Sequence, residues 1–384
     1  MTAKLKIAVI TTDNRQDDRN YSAATPYFGT APEALLHGFA QMPELEVHVI
    51  GCTQQPMKSP EKLADNIWFH SVYVPKAGWM RTSYQGCVRA VRRQLKAIKP
   101  DIVHGQGTER ECAVSAVFSK FPNVLTVHGN MRLIAEVNKA KPFSFFWLAA
   151  QLEKMALPRT RGVVCITRYT QAAVKDLAKR TWVVPNAVDE SFFGINAEPD
   201  ASRTILCVGA VCYRKNQNAF IKALDPLAAE GKFKLLFLGG VDKEDAFGIE
   251  FLDLVAQRPW CEYAGFADRE SLRRRFKTAT LLALPSLEDN CPMVVLEAMA
   301  AGVPVLAANV GGLPDLIEDG KNGLFCNPLD AASMSTGVSK ILDDPKLAQT
   351  LATTAKTGAR ERFHPLVIAR KHVEIYQEVL SKPS

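Results

Sequence analysis

Apolar residues along this chain fall into short continuous runs, separated by stretches in which apolar positions recur every three or four residues. Runs of the first kind read as strands buried on both faces, and those of the second as amphipathic helices. The strands expected in the first part are Lys4 to Thr11 (KLKIAVIT), Glu46 to Cys52, Ile67 to Pro75, Asp101 to Gly105 (DIVHG), Val124 to His128 (VLTVH), Gly162 to Thr167 and Thr181 to Val184. Helices are expected over APEALLHGFAQ and from Ser83 to Lys99. The polar stretch Glu190 to Ser202 (ESFFGINAEPDAS) reads as a linker, after which the alternation restarts with Thr204 to Gly209 (TILCVG), Lys234 to Gly239 (KLLFLG) and Thr280 to Leu284 (TLLAL). This double alternation predicts an α/β chain of two tandem Rossmann-like, doubly wound domains, residues 1–192 and 203–364, followed by the amphipathic segment PLVIARKHVEIYQEVL.

The stretch from Leu284 to Phe325 carries the most chemistry. Pro285 and Ser286 stop a buried strand, Pro292 suits the first turn of a helix, and GVP from Gly302 marks that helix's end. Such a helix start offers backbone N–H groups and a partial positive charge, a natural receptor for phosphate. Asp289 in the loop and Glu297 on the helix frame it, with Glu288 as a third acid. Acids repel phosphate, so their fitting partners are hydroxyls, which a carboxylate accepts strongly. An anion site flanked by hydroxyl acceptors describes a nucleotide sugar; the bland alternative is that EAMAAGVPVLA is a buried helix and strand without chemistry.

The same residues resemble the donor-site signature of the large retaining glycosyltransferase family with the GT-B fold, whose members include glycogen synthase, sucrose synthase and many bacterial hexosyltransferases. In that family two acids, usually glutamates, are separated by seven residues, the spacing of Asp289 and Glu297. The form EDNCP is similar to members that build bacterial surface polysaccharides. The resemblance covers almost the whole chain and is strongest over residues 204–329. It implies an acceptor-binding first domain, a donor-binding second domain across a cleft, and a last helix, 365–384, that returns to the first. It also implies transfer of a hexose-type sugar, with retention, from a nucleotide diphosphate sugar to a sugar or lipid-linked sugar acceptor, a UDP-sugar ranking ahead of a GDP-sugar.

Residue by residue, the resemblance puts Lys215 on the donor diphosphate, Asp289 on the sugar hydroxyls and His128 near the donor's sugar and phosphates. Gly209, Arg214, Asn290, Cys291, Pro292, Met293 and Val294 would surround the donor, and Glu297 would hold its ribose. Gly265 and Phe266 stand where family members hold the nucleobase. Gly29, in FGTAP, occupies the place of a glycine-rich first loop, and PNAVD, ending at Asp189, resembles the PNGVD that closes the first domain. Ala210 stands where an arginine is common, which leaves the second phosphate-binding cation to Arg214 or to backbone donors.

Other features change this picture little. HGQGTER after the DIVHG strand is an imperfect dinucleotide fingerprint whose third glycine is replaced by Arg110. That weakens a nicotinamide oxidoreductase reading and leaves Glu109 and Arg110 as acceptor-side candidates. Arg89, Arg92, Arg93 and Lys96 share one helix face, either solvated or turned to anionic headgroups or a phosphorylated acceptor. KAKPFSFFWLAAQLEKMALPRTRG reads as a buried helix or as an interfacial patch. The length of 384 residues suits two domains, and the formal charge of +7 is too mild to argue for nucleic acid. Nine scattered cysteines, an odd number without a C-x-x-C, read as reduced thiols of a cytoplasmic protein, peripheral to a membrane at most. No Asp-x-Asp, H-E-x-x-H or Cys/His cluster is present, so neither metal nor other cofactor is expected. A non-catalytic scaffold of the same fold is the remaining alternative.

Overall fold

The computed structural model describes residues 4–229, 231 and 233–381. They form two units, one comprising the chain up to Ala187 together with the stretch from Pro365 onward, the other running from Val188 to His364.

The first unit is built on a sheet of β1 (Leu5–Ile10), β2 (Leu45–Thr53), β3 (Lys62–Ala64), β4 (Ile67–Tyr73), β5 (Ile102–Gln106), β6 (Asn123–Val127), β7 (Val163–Cys165) and β8 (Thr181–Val183). The order is β3-β4-β2-β1-β5-β6-β7-β8, and only the short β3 pairs antiparallel. Side chains alternate between faces, as a period of two requires. Ile7 and Val9 pack with Val47 and Val49 against the helices Thr30–Ala40 and Pro365–Ser381. Ala8 and Ile10 pack with Val103 and Leu125 against the helices Gln85–Ile98, Glu111–Val117 and Phe145–Ala156. Both faces are covered, which is why these strands read as nearly continuous apolar runs.

The second unit holds β9 (Thr204–Val208), β10 (Lys234–Leu238), β11 (Cys261–Tyr263), β12 (Leu281–Leu284), β13 (Val305–Ala308) and β14 (Leu324–Cys326). Its order is β11-β10-β9-β12-β13-β14, with every pairing parallel. The chain winds outward from β9 through β10 to β11, then returns to the other side of β9 for β12. The crevice beyond the carboxyl ends of β9 and β12 is therefore the switch point where open α/β sheets bind ligands. In the first sheet the same reversal lies between β1 and β5.

The stretch expected to be a polar linker starts differently. Asp189 caps a short helix, Glu190–Phe193, whose Phe192 and Phe193 are buried, Phe192 against Phe276 with ring centroids 6.0 Å apart. The unit boundary accordingly falls after Ala187 and not at residue 192, because two buried phenylalanines attach this segment to the second core. At the other end the expected helix 365–384 spans Pro365–Ser381 and belongs to the first unit; residues 382–384 lie outside the described residues.

That helix packs on Thr30–Ala40 at a point where no side chain fits. A Cβ added at Gly38 would stand 2.2 Å from the Pro365 carbonyl oxygen. Helix propensity alone favours Gly38→Ala by about 1 kcal/mol. The contact reverses the sign, and the variant is expected to lose about 1–3 kcal/mol in urea unfolding; a gain in stability would refute the close approach.

Candidate functional site

The loops after β9 and β12 flank the switch point of the second sheet. After Gly209 the chain passes through Ala210 into the turn Tyr213–Lys215, and Asn216 then opens the helix Gln217–Ala228. Gln217 braces this loop: its amide donates to the Ala210 carbonyl at 3.0 Å, and its oxygen accepts from the Cys212 N–H at 3.4 Å. The neighbouring tips are tied in sequence, since the Gly239 N–H donates to the Gly265 carbonyl at 2.8 Å and the Tyr263 hydroxyl donates to the Gly239 carbonyl at 2.9 Å. Phe266, beside Gly265, is 83% exposed.

Across the switch point stands Asp289, buried. Its Oδ2 accepts from Lys215 Nζ at 2.5 Å and from Ser286 Oγ at 3.1 Å, while Arg214 Nη1 lies 3.6 Å from Oδ1. Arg214 also donates to the Glu288 carbonyl at 2.8 Å, and the Leu287 N–H donates to the Arg214 carbonyl at 2.8 Å. Behind the acid, the Gly312 N–H donates to the Asp289 carbonyl at 3.0 Å. Gly311, with φ at +56°, is required there, because its Cβ would fall 1.8 Å from that carbonyl oxygen.

The helix after this loop is Met293–Ala301. Pro292 is its N-cap, not its first-turn residue, and no side chain caps its start. Asn290, Cys291, Met293 and Val294 thus lie at a helix N-terminus beside Asp289. Glu297, one turn further in, is buried, and its carboxyl is pushed up to about 7. Burial is the main cause; Arg269 opposes it and Asp189 reinforces it. Arg269 Nη1 also pairs with Asp189 Oδ2 at 3.2 Å.

His128, Glu109, Arg110 and Gly29 belong to the first unit. His128, at the tip of β6, has Nε2 2.8 Å from the Gln106 side-chain oxygen. An amide oxygen only accepts, so Nε2 carries the proton. Asn186 bonds the same imidazole, and burial, followed by the charge of His372, lowers its pKa to about 4. His128, Gln106, Asn186 and His372 line one pocket together with Thr126 and Ile368. Glu109 is raised by burial, and Arg110, the N-cap of Glu111–Val117, pairs with Asp17. Gly29 is the N-cap of Thr30–Ala40 at φ −57°, a conformation open to any residue. Among the described residues no group of three or more His, Cys, Asp or Glu side chains is arranged to hold a metal ion.

Sequence reasoning did not find Ser286, Gly311, Arg269, Gln106 or Asn186. Ser286 and Gly311 had a local signal, three residues before Asp289 and in the GG turn. The other three reach the site only through tertiary pairing.

Two α/β units of largely parallel sheet, the second with Lys215, Arg214 and Asp289 at its switch point, have the architecture of the GT-B class. Residues 188–358 match the family described as glycosyl transferases group 1, and residues 33–192 match glycosyltransferase family 4. An uncharacterized glycosyltransferase of Methanocaldococcus jannaschii is 30% identical over 181 residues, 46% of this chain and 45% of that protein, so the match spans less than half of that relative. Sucrose-phosphate synthase from Thermosynechococcus elongatus superposes with a TM-score of 0.76 at 19% identity, covering 98% of this chain and 100% of that one. Anabaena HepE in complex with UDP and glucose gives 0.71 at 17% identity, covering 97% and 100%. Each half of the chain thus matches a glycosyltransferase family, group 1 in the second half and family 4 in the first, and the fold is GT-B.

The buried acid and the buried histidine each yield a prediction. Glu297 is easier to protonate folded than unfolded, so its ionisation destabilises the fold from its ordinary 4.5 upward and in full above about 7. Glu297→Gln is therefore expected to raise stability at about pH 8 by up to about 3 kcal/mol, the gain shrinking as pH falls and vanishing below 4.5. Thermal melts across that range check it. Nitrogen NMR of the His128 imidazole should report a neutral ring protonated at Nε2 down to about pH 5, with protonation completed only below its pKa of about 4.

Proposed function

We propose that this protein transfers a hexose-type sugar from a nucleotide diphosphate sugar to an acceptor hydroxyl, with retention and without a required metal, in the building of a bacterial glycan or surface polysaccharide. The observation that carries the reading is the set of Lys215, Arg214 and Asp289 at the switch point, beside an uncapped helix start. Breaking a sugar–diphosphate bond leaves negative charge on the departing phosphate, and fixed donors aimed at that charge lower the barrier. Lys215 and the N–H groups of Met293 and Val294 would serve that end. Asp289 would exchange part of its pairing with Lys215 for the sugar's hydroxyls, and Glu297, ionised, would accept from the ribose. Gly265 and Phe266 would hold the base, with UDP ahead of GDP, as in the UDP complex of Anabaena HepE. Arg214 is the nearest candidate for the second cation that Ala210 does not provide. The first unit would take the acceptor, a sugar or lipid-linked sugar, near His128, Glu109 and Arg110.

Ala210 also favours a second reading, a binding scaffold without turnover, since phosphate would then meet fewer cations. A thermal-shift panel of UDP-, GDP- and ADP-sugars, followed by donor turnover with the matching sugar, separates the two. Lys215→Ala is expected to cut kcat/KM by about 10²–10³-fold while the melting temperature stays within a few degrees. Wild-type turnover by that variant would overturn the donor-site assignment. Donor binding without turnover of any donor would favour the scaffold.

A further inference from the structure

One face of the first sheet is covered by the helices Gln85–Ile98, Glu111–Val117 and Phe145–Ala156, which share a core with Ile10, Val103 and Leu125. The outward side of this layer is almost entirely of one sign. Residues 74–100 and 131–161, which supply two of these helices and the hairpin that leads into the second, contain thirteen lysines and arginines against two acids, Glu153 and the exposed Glu136. Glu153 is buried, accepting from the Thr108 hydroxyl at 2.7 Å and the Met131 N–H at 3.1 Å. The whole chain carries only +7, so its basic excess is concentrated here. Arg89, Arg93 and Lys96 are exposed along Gln85–Ile98, and Lys154 and Arg159 on or just after Phe145–Ala156.

At one end of the layer the helices Met131–Val137 and Phe145–Ala156 pack together as a hairpin. Lys139 and Phe143 turn the connecting chain at φ +45° and +65°. Val137, Lys139, Lys141, Phe143 and Phe146 are all exposed there. Phe143 is 86% exposed and leans on Trp147 with ring centroids 5.3 Å apart.

We infer that this basic layer and its aromatic tip dock on a bilayer surface bearing anionic lipid, the tip entering the headgroup region. A soluble polyanion would be held by the cations alone and would give Phe143 and Phe146 no reason to face water. Rich in lysine, the layer also lacks the apolar, lysine-poor centre that a folded protein partner would cover. A bilayer accepts both features, since lysines near it gain from anionic headgroups and aromatic rings settle in the interface. The surface is assigned independently of the transfer chemistry proposed above.

Flotation of the full chain with phosphatidylcholine vesicles, with and without phosphatidylglycerol, tests the inference. The protein should float only with the anionic vesicles, less so as salt rises. Lys139→Ala with Lys141→Ala should weaken partitioning by roughly thirtyfold, and Phe143→Ser with Phe146→Ser should weaken it at any salt, both with wild-type circular dichroism. Failure of the wild type to float with anionic vesicles overturns the inference. So does an unaffected phenylalanine variant whose vesicle binding dextran sulfate abolishes, which marks a polyanion site. Either result leaves donor binding by the second unit untouched.

Discussion

The pairing of Lys215 with Asp289 is the constraint on which the second unit's site depends. The two residues are far apart in the chain and meet because β9 and β12 are neighbours in the sheet while the strands between them were wound to the other side. The acid can reach the lysine only because its loop is held from behind by Gly311 and Gly312 and from the side by Ser286. The helix start at Met293 then falls beside the pair, as the chain has no length to place it elsewhere. Arg214 follows from the same arrangement, tied to the loop of Glu288 by backbone and side-chain bonds.

Much of this was legible in the sequence, for identifiable reasons. Strands covered on both faces announce themselves as apolar runs, so most of the two sheets could be read directly. The short edge strands β3 (KLA) and β11 (CEY) could not, because a charged residue breaks or opens each and no continuous apolar run is left. ESFFGINAEPDAS looked like a linker since polar residues outnumber the two phenylalanines, and only packing reveals that Phe192 and Phe193 belong to a core. Lys215, Asp289 and Glu297 were visible through loop position and spacing. Arg269, Gln106 and Asn186 were not, because a side chain that acts through a partner distant in sequence leaves no local mark.

Burial sets the charge states of the groups at both sheet edges. His128 is held neutral, by desolvation first and then by His372, and Gln106 fixes which nitrogen keeps the proton. Glu297 is held near its midpoint at neutral pH, with Arg269 pulling toward the ionised form. Glu111 is pushed up to about 7 in the same way, and its Oε2 has no hydrogen-bond partner among the described residues. An acid left half-ionised in a dry site is costly to the fold, and a ligand hydroxyl or a cation that reaches it recovers part of that cost on binding.

The helix Pro365–Ser381 supplies Ile368, Ile375, Tyr376 and Val379 to the core of the first unit. During synthesis the strands of that unit emerge first, yet one face of their sheet is covered by Thr30–Ala40 without its partner helix until residues 365–381 leave the ribosome, after the whole second unit has been made. The second unit, contiguous in the chain, can close as soon as its own residues are out. Folding order on the ribosome is thereby inverted for half the molecule, and the nascent first sheet, with part of one apolar face open, is the stage at which a chaperone has something to hold.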